Sequence, residues 1–229
     1  MSKNIEVKSR EKTGLVGIYR FTKAALEKPE HFALNDKITE KRDAIASLSK
    51  IISESREPKG LFRYFKNIQN NKHLRELLLK QKELRLEMGI LINQLHRICK
   101  TEIVEYKNLI PTVGRTMIAN NLTDPTPTND MVVNKAELGS STTAPTNGDT
   151  ALITPVYRND IASLTNAANV AYITAFFNAV ETSGTYREAG IYSDGTGSLG
   201  DGILVSRVAI NVTKTVLETL TIDWQLTIN

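Results

Sequence analysis

The sequence predicts an α+β protein: an antiparallel β-sandwich that carries an inserted long helical hairpin of coiled-coil character. Three observations set that class. Composition breaks near Lys107, from Lys, Glu, Leu and Arg before it to Thr, Asn, Gly, Val and Ala after it. The hydrophobic period before the break is seven, the mark of packed helices, and after it is two, the mark of half-buried strands. Residues 216–229 show the second period most plainly. There Leu220, Ile222, Trp224, Leu226 and Ile228 share one parity, and Thr219, Thr221, Asp223, Gln225 and Thr227 share the other. This spacing predicts a long strand with one dry face, Trp224 buried in it, and the carboxy-terminus stitched into a sheet.

Taken in order, residues 14–22 (GLVGIYRFT) are aromatic and β-branched and read as a strand. Asn35 is placed to cap a helix, with Asp36 after it, Ile38, Ile45 and Ile52 spaced by sevens, and Leu48 between. Pro58 and Gly60 break that helix within residues 54–60. A second helix over residues 71–99 carries Leu74, Leu77, Gln81, Leu84, Met88, Leu91, Leu95 and Ile98 at a 3-4 spacing. These eight residues form a candidate interface seam, along a helix about 43 Å long at about 1.5 Å per residue.

Residues 102–110 return to strand character, Pro111 ends them, and Thr112 can cap a short helix through Val113, Met117, Ile118 and Leu122. Residues 124–130 form a turn-rich connector, 131–138 a strand, and 139–150 a loop of small polar residues. Residues 152–164 and 169–181 are further strand candidates, although 167–180 also fits a helix. Residues 194–202 (DGTGSLGDG) are a glycine-rich turn, and 203–212 with 216–228 suggest a hairpin across 213–215. The predicted domains are therefore a sandwich of residues 14–23 and 101–229, with residues 24–100 as the helical insertion.

Charge is divided in the same way. About 23 basic residues face about 14 acidic ones up to Lys107, and about 6 face about 11 beyond it. The basic half could attract nucleic acid without specificity, but its acidic residues are interspersed as on a solvated helical exterior. Residues 61–66 (LFRYFK) mix aromatics with cations, and closing the end of a helical hairpin is favoured over a surface contact. One cysteine, Cys99, provides no internal disulfide and fits a reducing compartment. Residues 1–12 lack the apolar core of a signal peptide, and no apolar run nears the roughly twenty residues of a membrane span. No cleaved leader and no membrane insertion are expected.

Candidate chemistry is sparse. The turn at 194–202 invites a calcium or phosphate reading, but it has one copy, two aspartates and no following helix with Lys and Ser or Thr. His31, His73 and His96 have no i, i+4 partner and read as solvated helix surface, so no metal is expected. Cys99 reads as a small hydrophobe at a helix end, and Glu188 as a residue that pairs locally. No catalytic residue and no cofactor are assigned, and the expectation is that the chain is not an enzyme.

Four segments occur in a definite order: NLIPTVGRTMIANNL, then LGSSTTAPTNGDTAL before a strand holding Arg158, then REAGIYSDG, then LVSRVAI before the terminal strand. In this order the second half resembles virion structural proteins of tailed bacteriophages, in particular a β-sandwich module of tail fibre, baseplate or collar components. The resemblance implies a non-enzymatic structural role, other virion proteins as partners, and a place in the virion after assembly in the bacterial cytoplasm. The alternative is a host-receptor-binding or capsid-decorating adhesin. Residues 24–100 lie outside the likeness. If their seams meet those of neighbours, the chain becomes a homo-oligomer with cyclic symmetry, a trimer being favoured, and Gln81 specifies the register.

Overall fold

The computed structural model describes residues 15–54, 72–124, 127–129 and 131–228 of the 229. Strand β1 (Leu15–Ala25) leads into helices α1 (Pro29–Glu54) and α2 (Lys72–Ile98), then β2 (Thr101–Lys107) and helix α3 (Thr112–Thr123). Six strands follow: β3 (Val133–Gly139), β4 (Pro155–Ala167), β5 (Val170–Phe177), β6 (Gly184–Ser193), β7 (Ile203–Lys214) and β8 (Glu218–Ile228). They make one antiparallel sheet in the order β2-β1-β8-β5-β4-β3-β6-β7.

The expected sandwich is corrected to a nearly closed barrel. Two facing sheets would need separate strands, but β4 belongs to both halves. Its first part pairs with β3 (Tyr157 opposite Leu138) and its second with β5 (Leu164 opposite Ile173), with a bulge between Ile161 and Ser163. A bulge adds local twist, which lets one long strand turn the corner. On the far side, Leu109 just beyond β2 exchanges two 2.9 Å backbone hydrogen bonds with Arg207 of β7. Tyr106 of β2 meets Asn211 of β7 beside it. Alternating strands and regular turns are common to sandwiches and barrels, so local patterning could not separate them.

The terminal hairpin is also corrected. β8 pairs with β1 and β5, not with β7. Residues 213–215 (TKT) hold no Gly or Asn to supply the positive φ of a tight hairpin turn. Instead the Lys214 ammonium, 1% exposed, donates to the carbonyls of Ala179, Thr182 and Thr215 and pins the end of β7. The Leu26 N–H then donates to the Leu217 carbonyl at 2.7 Å, delivering β8 beside β1.

The barrel interior is apolar: Tyr19, Phe21, Ile161, Phe177, Ile222 and Trp224 belong to its core, and Met117 of α3 plugs one end. A second core lies outside the wall, where Ile38 and Ile45 of α1 and Met88, Ile92 and Leu95 of α2 pack with Ala162 and Phe176 of β4 and β5. The inserted helical hairpin does not stand apart from the strands: its two helices lie along each other against the barrel. Their connection, with Pro58, Gly60 and residues 61–66, falls outside the described residues. Because β5 has a core on each side, Phe176 and Phe177 are both buried, and its continuous apolar run is a strand, not the alternative helix.

Helix starts differ from expectation too. α1 opens at Pro29, whose missing N–H costs nothing at a first helical position, with Glu30 in the first turn. Asn35 is therefore inside the helix and buried, not a cap. At α3 the cap is Pro111, and the Thr112 side chain instead accepts from Arg115.

Gly114 lets α3 press onto β7. A Cβ there would lie 2.7 Å from the Val205 carbonyl oxygen and 2.9 Å from that of Leu204. Alanine favours an isolated helix over glycine by about 1 kcal/mol, yet Gly114→Ala should lower stability by about 1–3 kcal/mol through overpacking against backbone. Urea denaturation checks this, and unchanged or higher stability would contradict the docking of α3.

Candidate functional site

The predicted seam is placed inside the chain. Leu74, Met88 and Leu95 are buried, Leu77, Gln81, Leu84 and Leu91 half-buried, and Ile98 is 47% exposed. The Gln81 amide donates to Ser49 Oγ at 2.7 Å, so its register partner is α1 of the same chain. Lys41 Nζ and Glu87 Oε2, 2.5 Å apart, tie the same pair of helices. Ile98 falls off the seam and Ile92 and Cys99 take its place, because a straight helix of 3.6 residues per turn drifts about 20° per heptad from a seven-residue repeat.

A second apolar stripe remains outside. Leu79, Leu86 and Ile90 are 61%, 59% and 52% exposed, spaced by seven and four residues on α2. The spacing was present in the sequence. It was eclipsed by the longer seam beside it, since α2 has more leucines than one face can hold. This stripe, about 16 Å long at about 1.5 Å per residue, is the candidate assembly surface.

Between it and the barrel wall lies a groove of about 390 Å³ lined by Leu86 and Ile90 on one side and by Arg20, Tyr172, Thr174 and Asp223 on the other. His96 Nε2 lies 2.9 Å from Thr221 Oγ1 and fastens α2 to β8. Asp223 accepts a 2.7 Å hydrogen bond from Thr174. Burial lowers the His96 pKa against the opposing pull of Asp223. Burial raises that of Asp223 against Thr174, His96 and Arg20. The histidines thus differ from the solvated surface expected of them: His31 is buried and accepts the Glu27 N–H, and only His73 is exposed. Cys99 is buried, with its thiol pKa raised by burial and by Glu27.

The remaining charged clusters hold loops. Arg207, fully buried, donates from Nε to Glu188 (3.0 Å), from one terminal nitrogen to Asp149 (2.6 Å) and from the other to the Thr143 carbonyl (2.9 Å). Glu188 also accepts the N–H groups of Ile153 and Thr154. Burial works to raise the Asp149 pKa, but hydrogen bonds from Thr146 and Arg207 outweigh it and hold it low. The local pairing expected of Glu188 is corrected: its partners are Arg207, 19 residues further on, and the N–H groups of Ile153 and Thr154 on another segment. A parallel clasp holds the glycine-rich turn: Arg158 donates to Glu137 (2.9 Å) and to the carbonyls of Ser198 and Asp201, and lies 4.7 Å over the Tyr192 ring. Among the described residues no group of three or more His, Cys, Asp or Glu has metal-binding geometry, and no helix is long and apolar enough to cross a membrane.

Two outcomes are expected. Arg207→Met leaves Glu188 and Asp149 facing each other without a cation, and breaking a buried pair in this way costs about 3–5 kcal/mol. Chemical denaturation should show that loss, with new protease cleavage at residues 140–150. A stability within 1 kcal/mol of wild type, by that same scale, would remove the clasp from its place in the fold. For His96, the folded-state pKa is depressed, so as pH falls the unfolded chain takes the proton first. The stability contributed by His96 is full above the ordinary histidine range and is lost as pH drops through the folded value. Asp223, with its raised pKa, acts in the opposite direction. The melting temperature should therefore fall less from pH 7 to 5 in His96→Gln than in wild type, and an identical fall would exclude His96 as its source.

No family model matches the chain, and neither a curated protein nor a solved structure matches it.

Proposed function

We propose that the chain is a non-enzymatic structural component of a tailed-phage particle, a part of its tail, baseplate, fibre or collar, which assembles with copies of itself and with other virion proteins. The observation that carries this reading is the stripe of Leu79, Leu86 and Ile90, which faces outward from a helix already packed on its other side. The phage likeness of the sequence supports it through the residues that make up the likeness. Asp149, Arg158, Glu188 and Arg207 come from the separate resembling segments, and all four are engaged in holding loops to the barrel. A module whose motif residues serve its own rigidity, and whose free apolar residues face outward, fits a building block. Residues 14–23 and 101–229 would be the docking module and residues 24–100 the assembly element.

One feature favours the adhesin alternative. A groove of about 580 Å³ with a largely apolar wall that includes Val113, Met117 and Ile203 runs between α3 and residues 147–150, and Thr112, Thr116 and Asn120 line it at one-turn intervals opposite Asn147 and Asp149. Short polar side chains in such a groove suit a hydroxylated ligand. Glycan-array binding that is lost in Asn120→Leu would support that reading.

The assembly reading is tested by molar mass from light scattering at micromolar concentration. Wild type should be a homo-oligomer, a trimer being favoured for a component of cyclic symmetry. Leu79→Glu with Leu86→Glu should be a folded monomer by mass and circular dichroism. Leu84→Glu with Leu91→Glu should instead loosen α1 from α2. A monomeric wild type defeats the proposal for the free protein, and an oligomer unmoved by charges at 79 and 86 relocates the interface.

A further inference from the structure

On the outer wall of the barrel the strand register sets one rung of side chains side by side. Glu105 of β2 lies opposite Arg20 of β1, Arg20 opposite Asp223 of β8, Asp223 opposite Thr174 of β5, and Thr174 opposite Ser163 of β4. Directly opposed residues share a face of the sheet, so two acids and one base stand in line. The base is bound to the outer acid: Arg20 reaches Glu105 through Nε at 2.8 Å and through a terminal nitrogen at 2.7 Å. Asp223 keeps only the Thr174 hydroxyl, at 2.7 Å on one carboxylate oxygen. Its other oxygen has no partner among the described residues, is not closed off from solvent, and belongs to the wall of the groove of about 390 Å³ beneath α2. On the helix side Gly89 leaves the space over Ser163 open, since a Cβ there would lie 3.4 Å from Ser163 Oγ. Asn93, Thr165 and Gln225 add amide and hydroxyl groups, and Leu86 and Ile90 give an apolar rim.

We infer that this groove binds a primary alkylammonium group, which donates to the free Asp223 oxygen and to the hydroxyl and amide oxygens beside it while its alkyl stem lies against Leu86 and Ile90. The site goes beyond the assembly role and stands independently of it, although Leu86 and Ile90 border both. A carboxylate drawn partly out of water without a cation is a costly arrangement, and burial accordingly raises the Asp223 pKa. A cation from outside relieves that cost. The other ionisable groups on the groove do not supply one: Arg20 is engaged by Glu105, burial holds the His96 pKa down, and Tyr172 is a phenol. An ammonium fits better than a guanidinium. Its three donors can turn towards separate oxygens, whereas the guanidinium fork is matched to a carboxylate with both oxygens free, and Thr174 already holds one. An anion meets Asp223 unfavourably, and a neutral hydroxyl leaves the carboxylate uncompensated.

The full-length protein would be titrated with pentylammonium, pentanol and pentanoate at about pH 8, above the ordinary histidine range and below that of an alkylamine. Backbone amide resonances of Ser163, Thr174 and Gln225 report the groove by NMR. Saturable shifts with pentylammonium are expected, with roughly tenfold weaker binding of pentanol, because hydrogen bonds to an ionised group are about twice as strong as neutral ones. Pentanoate should give no saturable shift. Asp223→Asn keeps the shape of the side chain and an acceptor for Thr174, and should reduce pentylammonium to the level of pentanol with wild-type circular dichroism. If that variant does not fold, Gly89→Leu sets a side chain over Ser163 and should abolish the response. Absence of a saturable shift, equal binding of pentanol and pentylammonium, or undiminished binding in a folded variant overturns the inference. Light scattering of wild type and Asp223→Asn separates the two sources of the group: a smaller mass in the variant assigns the ammonium to a lysine of a neighbouring copy, and an equal mass assigns it to a free amine. A monomeric wild type, which defeats the assembly reading, leaves this site standing.

Discussion

Arg207 is the residue on which the rest of the architecture depends, through its backbone and its side chain at once. Its N–H and C=O close the barrel against Leu109, and its guanidinium reaches outward to Glu188, Asp149 and the Thr143 carbonyl. A one-residue slip of β7 would turn that guanidinium into the apolar interior and leave two acidic groups buried opposite nothing. A buried ion pair adds little net stability over a hydrophobic pair of the same size, because both charges lose their hydration. What it enforces here is register. Only one alignment of β6, β7 and residues 139–154 satisfies every donor and acceptor, and that alignment also brings β7 to the edge of β2.

The same constraint explains the small residues around it. A Cβ on Gly139 would lie 2.6 Å from the Glu188 carboxylate, and one on Gly190 would meet Leu152 and Leu204 at 3.0 Å. The segments LGSSTTAPTNGDTAL, REAGIYSDG and LVSRVAI supply respectively the loop, the acid and the base of one network. Read singly each is a turn or a strand. In space they are one joint. Their joining in space is sufficient reason for them to occur together without any shared chemistry with a ligand.

Strand and helix periods were legible in the sequence, because each rests on a local rule: alternation placed Trp224 inside and heptads placed Ile38, Ile45, Met88 and Leu95 between helices. What was not legible depends on partners distant in sequence. Sandwich and barrel differ only in whether β4 spans both halves and whether Leu109 finds Arg207, neither of which alters a local pattern. The hairpin expected at residues 213–215 failed because adjacency in sequence was taken for adjacency in the sheet, while the turn chemistry there already argued against it. Asn35 has the residue type of a cap, an acidic neighbour and a heptad after it, but the stronger signal, Pro29 followed by Glu30, lies at the start of the same helix. Glu188 does not pair within its own stretch of sequence, and its partner Arg207, 19 residues away, gives no sign there.

The helices carry the last step. A heptad seam seen in a sequence does not say whose helix it meets, and here α1 and the barrel wall use the seam of α2 before any neighbour can. With Gln81 bonded to Ser49 and Met88 and Leu95 buried, the regular seam becomes a means of fixing α2 on the barrel. Fixing it leaves Leu79, Leu86 and Ile90 facing outward in one orientation. Apolar side chains presented on a rigid face bind with less loss of conformational freedom than the same side chains on a mobile arm. The internal seam and the external stripe are thus two consequences of one helix: packing of the first holds the second in a single geometry.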